Sequence, residues 1–220
     1  MTTSYSQIVN DVVTATNRPD LVATGDIDLS IRRATLKLHS MAFWPMDLAE
    51  AVVQFEDNTQ CAQSISIAEN LPNFRAIKYI RENIANAMPI PLAPPLQPYQ
   101  LYYGYPYDTH NFFKKMEPDA ILDRYNLQKS NVWYLGGSNI NLNCRMPIGS
   151  VSIGWWQYPI VVATNYKSWI ADAYSFAVSD EAARMIFASI GYLEMAKVYD
   201  GICAEHRQLL IQTFIDGEGR

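Results

Sequence analysis

Three histidines, His39, His110 and His206, and the carboxylates around them are the residues of this chain best suited to chemistry. An imidazole titrates near neutral pH and can pass a proton or bind a metal, but either task needs partners. Only Asp108-Thr109-His110 puts two ligand types close together. A metal site needs three or four ligands, so this stretch reads as a polar loop. Asp119 and Asp123 would share one face of a helix, and Glu56 adjoins Asp57. Paired carboxylates divide acid and base roles only at particular separations and in unlike environments, and spacing of this kind arises often by chance. The sequence contains no phosphate loop, no GxGxxG fingerprint, no GxSxG elbow and no HExxH pair. The expectation is a protein that is not an enzyme and uses neither cofactor nor metal.

Cys61, Cys144 and Cys203 lie far apart and form no CxxC pair, which excludes a zinc ribbon or a dithiol redox site. They are expected to be buried thiols. Their odd number suits a reducing cytoplasm. Met1 to Asn10 lacks the basic and apolar regions of a signal peptide, and no apolar run reaches membrane-spanning length, so a soluble protein is expected.

The aromatic residues are a further candidate. Trp133, Tyr134, Trp155, Trp156, Tyr158 and Trp169 could stack bases or sugars. Stacking platforms for single strands come with a basic groove, whereas this chain has a net charge of -5. Core packing and subunit contacts are the better use for them. The same acidic balance disfavours tight binding to a phosphate backbone.

These residues must be positioned by elements that the pattern suggests. Over 220 residues, 49% are apolar and 18% charged, the composition of a globular protein with a real core. The low charge suggests that some surface is covered by a partner. Ser4 and Gln7 have the spacing of a capping box ahead of Ile8, Val9, Val12 and Val13, which predicts a first helix ending near Thr16, before Asn17-Arg18-Pro19. Asp26 or Asp28 can cap a second helix with Ile27, Ile31, Ala34, Leu38 and Met41 on one face, ended by Phe43-Trp44-Pro45.

From Asp47 to Thr164 the period shortens. Strands are expected around 64–67, 76–80, 132–135, 140–144 and 151–155. Gly136-Gly137-Ser138 marks a hairpin and Pro147-Ile148-Gly149 a further turn, which predicts three strands in meander order. Within this region Met88 to Pro98 is rich in proline and is followed by Tyr99, Tyr102, Tyr103, Tyr105 and Tyr107. Proline removes backbone donors, so the stretch is an extended arm or a long loop. Its tyrosines either pack back on the domain or lie on a neighbouring subunit.

Helical spacing returns after Tyr166. Trp169, Ile170 and Tyr174 give a short segment, Ser179-Asp180-Glu181 can cap a helix running to Ile190, and a long amphipathic helix follows Gly191 and stops at Gly217-Glu218-Gly219. The expected fold is α+β. Helices from 1–46 and 166–220 form a helical bundle core, and 47–165 form a β-rich insertion that includes a Pro/Tyr-rich arm at 88–109.

Three groups of residues carry a resemblance. Tyr5 to Val13, Asn17-Arg18-Pro19-Asp20-Leu21 and Ile31 to His39 look like the opening of the portal-to-tail adaptor, or head-completion, proteins of tailed bacteriophages. Trp169 to Tyr174, the Ala-rich stretch Ala182 to Ile190 and the last helix resemble their C-terminal bundle. Trp133 to Gly137 with Ile140 to Asn143, then Gly154 to Pro159, look like their β-hairpin insertion. The resemblance implies a structural virion protein, made in the host cytoplasm and placed at the head-tail junction. It would form a ring of twelve copies beneath the portal protein, receive the tail proteins and continue the channel through which double-stranded DNA passes without sequence-specific binding. It also implies that the last helix and Ile211 to Arg220 meet the portal. Interface candidates are therefore Phe214, Ile215 and Arg220, with Tyr99, Tyr102 and Tyr103 on the arm. The alternative is another virion component, a tail or capsid decoration protein.

Overall fold

The computed structural model describes residues 4–57, 59–82, 112–120, 130–144 and 147–218, with side chains described as far as Thr213. Asp108, His110, Asp123, Tyr99, Tyr102, Tyr103, the whole arm and Arg220 lie outside the described residues. Of Phe214 and Ile215 only the helical backbone is described. The fold is α+β, with seven α-helices and two sheets among the described residues. The chain divides into two compact units, Met1–Asp47 with Tyr158–Arg220, and Leu48–Gln157.

The first unit is helical. Helix α1 spans Tyr5–Thr16, where Ser4 Oγ accepts the Gln7 amide at 3.3 Å. It ends on Asn17, whose φ of 52° is the left-handed conformation that asparagine tolerates. A short helix, α2, covers Asp20–Thr24, and α3 runs over Asp26–Ser40. The cap expected at Asp26 or Asp28 is instead Gly25, at φ 78°. The residue that ends α2 also starts α3, and that left-handed corner favours glycine. The two aspartates sit inside the first turn of α3, where negative charge favours the helix N-terminus.

After the return of the chain come α5 (Trp169–Ala173), α6 (Ser175–Ser189) and α7 (Leu193–Glu218). Helix α6 starts four residues before the cap expected at Ser179. Ser179 Oγ donates to the Phe176 carbonyl inside the helix at 3.1 Å, so it is an interior residue. Buried residues lie almost all round α6, from Ala177 and Val178 to Ile186 and Phe187, because α1, α3 and α7 each pack on it. Its alanines allow the close approach. Ile8, Val12, Ile31, Leu38, Ile170, Ile186 and Leu210 share the resulting core. Each such side chain contributes about 1.5–3 kcal/mol when removed from water.

The second unit is built from β1 (Leu48–Gln54), β2 (Ala62–Ser66), a one-turn helix α4 (Ile67–Asn70), β3 (Phe74–Glu82), β4 (Lys114–Lys115), β5 (Val132–Gly136), β6 (Asn139–Asn143) and β7 (Ser150–Gln157). Strands β5 and β6 form the expected hairpin, with Gly137 at φ 62°. The expected meander stops there. Strand β7 leaves to become the centre of a sheet ordered β1-β7-β3, while β6 pairs with β2 in a sheet ordered β2-β6-β5-β4. The reason lies in β7 itself. Val151, Ile153 and Trp155 point into the core, and Ser150 and Gly154 are buried too, so the strand suits a position flanked on both sides. Both sheets feed one cluster that includes Ile65, Ile80, Trp133, Ile140, Ile153 and Trp155.

On the other face of β7, the Tyr79 ring lies on Gly154 and its hydroxyl donates to Glu50 on the opposite neighbour. A Cβ at Gly154 would come within 2.5 Å of that ring, so glycine is what permits the crossing. Of the cysteines, Cys144 and Cys203 are buried as expected, and Cys61 is only half-buried. Cys61 closes the β2 end of its sheet through its carbonyl, which accepts the Cys144 amide, a task that does not require a buried thiol.

Candidate functional site

The side-chain set most like a reactive centre is one that the sequence does not announce. His39 is in the last turn of α3, on the same face as Ile31 and Leu38. Pro45 opens a single 3-10 turn, Pro45–Asp47, which brings Asp47 back towards that helix end. Ser168 is the N-cap of α5 and accepts the Ala171 amide at 3.2 Å. Together they align. Asp47 lies 2.9 Å from His39 Nδ1 and Ser168 Oγ lies 2.9 Å from Nε2.

A carboxylate can only accept, so Nδ1–H donates to Asp47, and in the neutral ring Nε2 accepts the Ser168 hydroxyl. The Ser168 lone pairs then remain for the Ala171 N–H. This is the order of groups that activates a serine nucleophile in acyl transfer. Two facts set its role here. His39 is 1% exposed, Asp47 4% and Ser168 5%, so the three are enclosed by the core. Ser168 is also committed to its helix cap, and Asp47 receives a further bond from Trp169 Nε1 at 2.8 Å. Thr35 and Tyr166 continue the network, their hydroxyls 2.7 Å apart. The arrangement is a polar clamp joining the end of α3, the turn at Asp47 and the start of α5.

A second polar set, with Glu181 buried and Lys37 and Arg184 half-buried around it, joins α3 to α6. Glu181 is fully enclosed, and its Oε1 takes Lys37 Nζ at 2.6 Å and Arg184 Nη2 at 2.7 Å. Burial alone would raise the Glu181 carboxyl, but the bonds from Lys37 and Arg184 outweigh it and hold the group below its ordinary value. Burial, and then the adjoining Glu181 carboxylate, push the Cys203 thiol up to about 12, so it stays protonated and unreactive at neutral pH.

In the β unit a groove of about 490 Å³ opens between the end of β1 and β2. Its charged lining residues are Glu56, Asp57 and Glu69. Asp57 is held below its usual range first by the Thr59 hydroxyl, and it also accepts from Gln60 at 2.7 Å, so it serves to fold its own loop. Asp119 sits in the 3-10 turn Pro118–Ala120. His206 lies 3.6 Å from Asp180 on the α6–α7 contact and stacks edge-on against Phe176. No three His, Cys, Asp or Glu side chains among the described residues come together as a metal site. No helix among the described residues is long and apolar enough to cross a membrane.

The outer surface of the helical unit offers more. Along α7 the inward residues are Ala196, Tyr199, Cys203, His206 and Leu210, at helical spacing. Apolar residues also lie on its solvent side, with Met195 42% exposed, Val198 56% and Leu209 43%. Comparisons with models of known protein families and with curated proteins find no match for this chain.

Proposed function

We propose that this chain is a structural virion protein, the adaptor between portal and tail of a tailed bacteriophage. The supporting observation is its construction. Helices from the two ends of the chain share one hydrophobic core, and the β unit is inserted between them at Asp47 and Tyr158. That is the organisation implied by the resemblance of Tyr5 to Val13, Asn17 to Leu21 and Ile31 to His39 at one end and of Trp169 to Tyr174 and Ala182 to Ile190 at the other. The most reaction-like set of side chains, at Ser168, is enclosed and occupied in capping a helix, which favours a mechanical role over catalysis.

In this reading the chain assembles with copies of itself into a ring, binds the portal protein through the end of α7, receives tail proteins and continues the DNA channel. A net charge of -5 suits a wall past which a polyanion must slide. The test is electron microscopy of the protein mixed with its cognate portal. The expected outcome is an additional ring on the tail-facing end of the portal. Bare portal rings, with both proteins folded, would overturn the adaptor role in favour of a tail or capsid decoration component.

A further inference from the structure

Two faces of the helical unit are left open, and they are complementary. On α7, Met195, Val198 and Leu209 fall on one exposed stripe, since steps of three and eleven residues return to nearly the same side of a helix at about 100° per residue. Glu194 and Glu205 border it, both exposed and neither in an ion pair among the described residues. On α3 the buried face is Ile27, Ile31, Ala34 and Leu38. The opposite face presents Leu29, 43% exposed, between Arg32 and Arg33, which are exposed and in no ion pair among the described residues; at its first turn it also carries the exposed Asp26, which accepts from the Thr24 hydroxyl at 2.6 Å, so the basic part of the face is the stretch from Leu29 onward. Other cations nearby are committed. Lys37 and Arg184 go to Glu181, and Arg207 approaches Asp200 at 3.8 Å. Lys197 is the one exposed cation of α7 outside this pattern, on the far side of Glu194 from the stripe.

We infer that the acidic-rimmed apolar stripe of α7 docks on the basic, leucine-bearing face of α3 in a second copy of this chain. The occupant follows from complementarity. An apolar strip with unpaired carboxylates at its rim fits an apolar strip with unpaired guanidiniums, and the chain carries both. The two helices pack on α6 and not extensively on each other, so one subunit cannot satisfy both faces internally. A contact between unlike surfaces is head-to-tail. It repeats from copy to copy and closes as a ring or runs on as a filament. This inference deepens the adaptor reading by naming the contact between subunits, and it rests on that reading only for closure into a ring.

Charge reversal tests it on the full chain without portal, by sedimentation velocity over a range of concentrations. The wild type should associate, and more weakly as salt is raised. The R32E/R33E variant makes both faces acidic and the E194R/E205R variant makes both basic, so each should associate at least about tenfold more weakly. All four positions are exposed, so far-UV circular dichroism and Tm should stay close to wild type. An equal mixture of the two variants should regain association, because every contact then pairs unlike charges. A wild type that stays monomeric throughout, variants that associate as well as the wild type, or a mixture no better than its components would overturn the inference. A portal-bound ring with α3 away from α7 would sink this contact and leave the adaptor standing. Association without portal binding would do the reverse.

Discussion

The helical unit and the β unit solve the same problem, holding together chain that is far apart in sequence, by different means. The β unit closes an almost wholly apolar core around Trp133 and Trp155, with Ser150 its one buried polar residue among those described. The helical unit runs two polar sets through its interior, His39–Asp47–Ser168 and Lys37–Glu181–Arg184. Those bonds span separations of 129 residues, from His39 to Ser168, and 144, from Lys37 to Glu181. Apolar helix faces slide over one another at little cost, whereas a buried hydrogen bond tolerates one register. The difference teaches that the helical unit buries polarity where its first and last thirds must meet in a single alignment, and that a ladder of strands supplies the same alignment through its backbone.

The comparison breaks most visibly at Trp155. The change Trp155→Ala empties a 3% exposed site and removes the indole bond to the Pro72 carbonyl, with an expected loss of about 3–5 kcal/mol. Hydrogen exchange should show the loss in the β-unit amides and spare α3 and α6. Asp47→Ala should do the opposite. It removes the bonds that His39 Nδ1 and Trp169 Nε1 make to Asp47, each loss costing about 1–3 kcal/mol, and should open α3 and α5 in the same measurement. Asp47→Asn, which keeps an acceptor oxygen, should recover part of that stability. Equal loss of protection in both units for either variant would show that polar and apolar closure are not separately housed.

The smallest effect is one of pH. Glu181 has a folded value below its unfolded one, so the unfolded chain binds its proton more readily. Its contribution is complete above about 4.3, the ordinary glutamate value, and is lost as pH falls further through the depressed folded value. Denaturant midpoints should therefore drop in that acid window, and Glu181→Gln should flatten the drop.

What was legible in the sequence is local. Gly136-Gly137 announced the β5–β6 hairpin because the turn needs a positive φ within a few residues of both strands. The end of α1 could be read just as locally, from the turn residues Asn17-Arg18 ahead of Pro19. The placement of β7 was not legible, since alternation tells which side chains face inward and not which strands lie beside them. Ser179-Asp180-Glu181 resembled a helix start because serine and acids favour first turns, yet Glu181 is retained for Lys37 on another helix. The clamp at His39 was hidden more deeply. Each member looks ordinary in its own segment, and only the fold joins them. The single signal available was a histidine on the apolar face of α3, which required a partner from elsewhere.

Leu48 and Trp156 face each other on the same rung of the β1–β7 ladder. The inserted unit therefore leaves and returns through a doorway one strand spacing wide, about 5 Å. Chain can be added to or trimmed from such a unit away from those two strand ends without changing the distance between the points where it joins the rest of the chain. To a lineage, or to an engineer, residues 48–157 are an exchangeable cassette. Replacing them with a short turn should leave a helical stub that still folds, and grafting them into another host loop needs only two anchor points a strand apart.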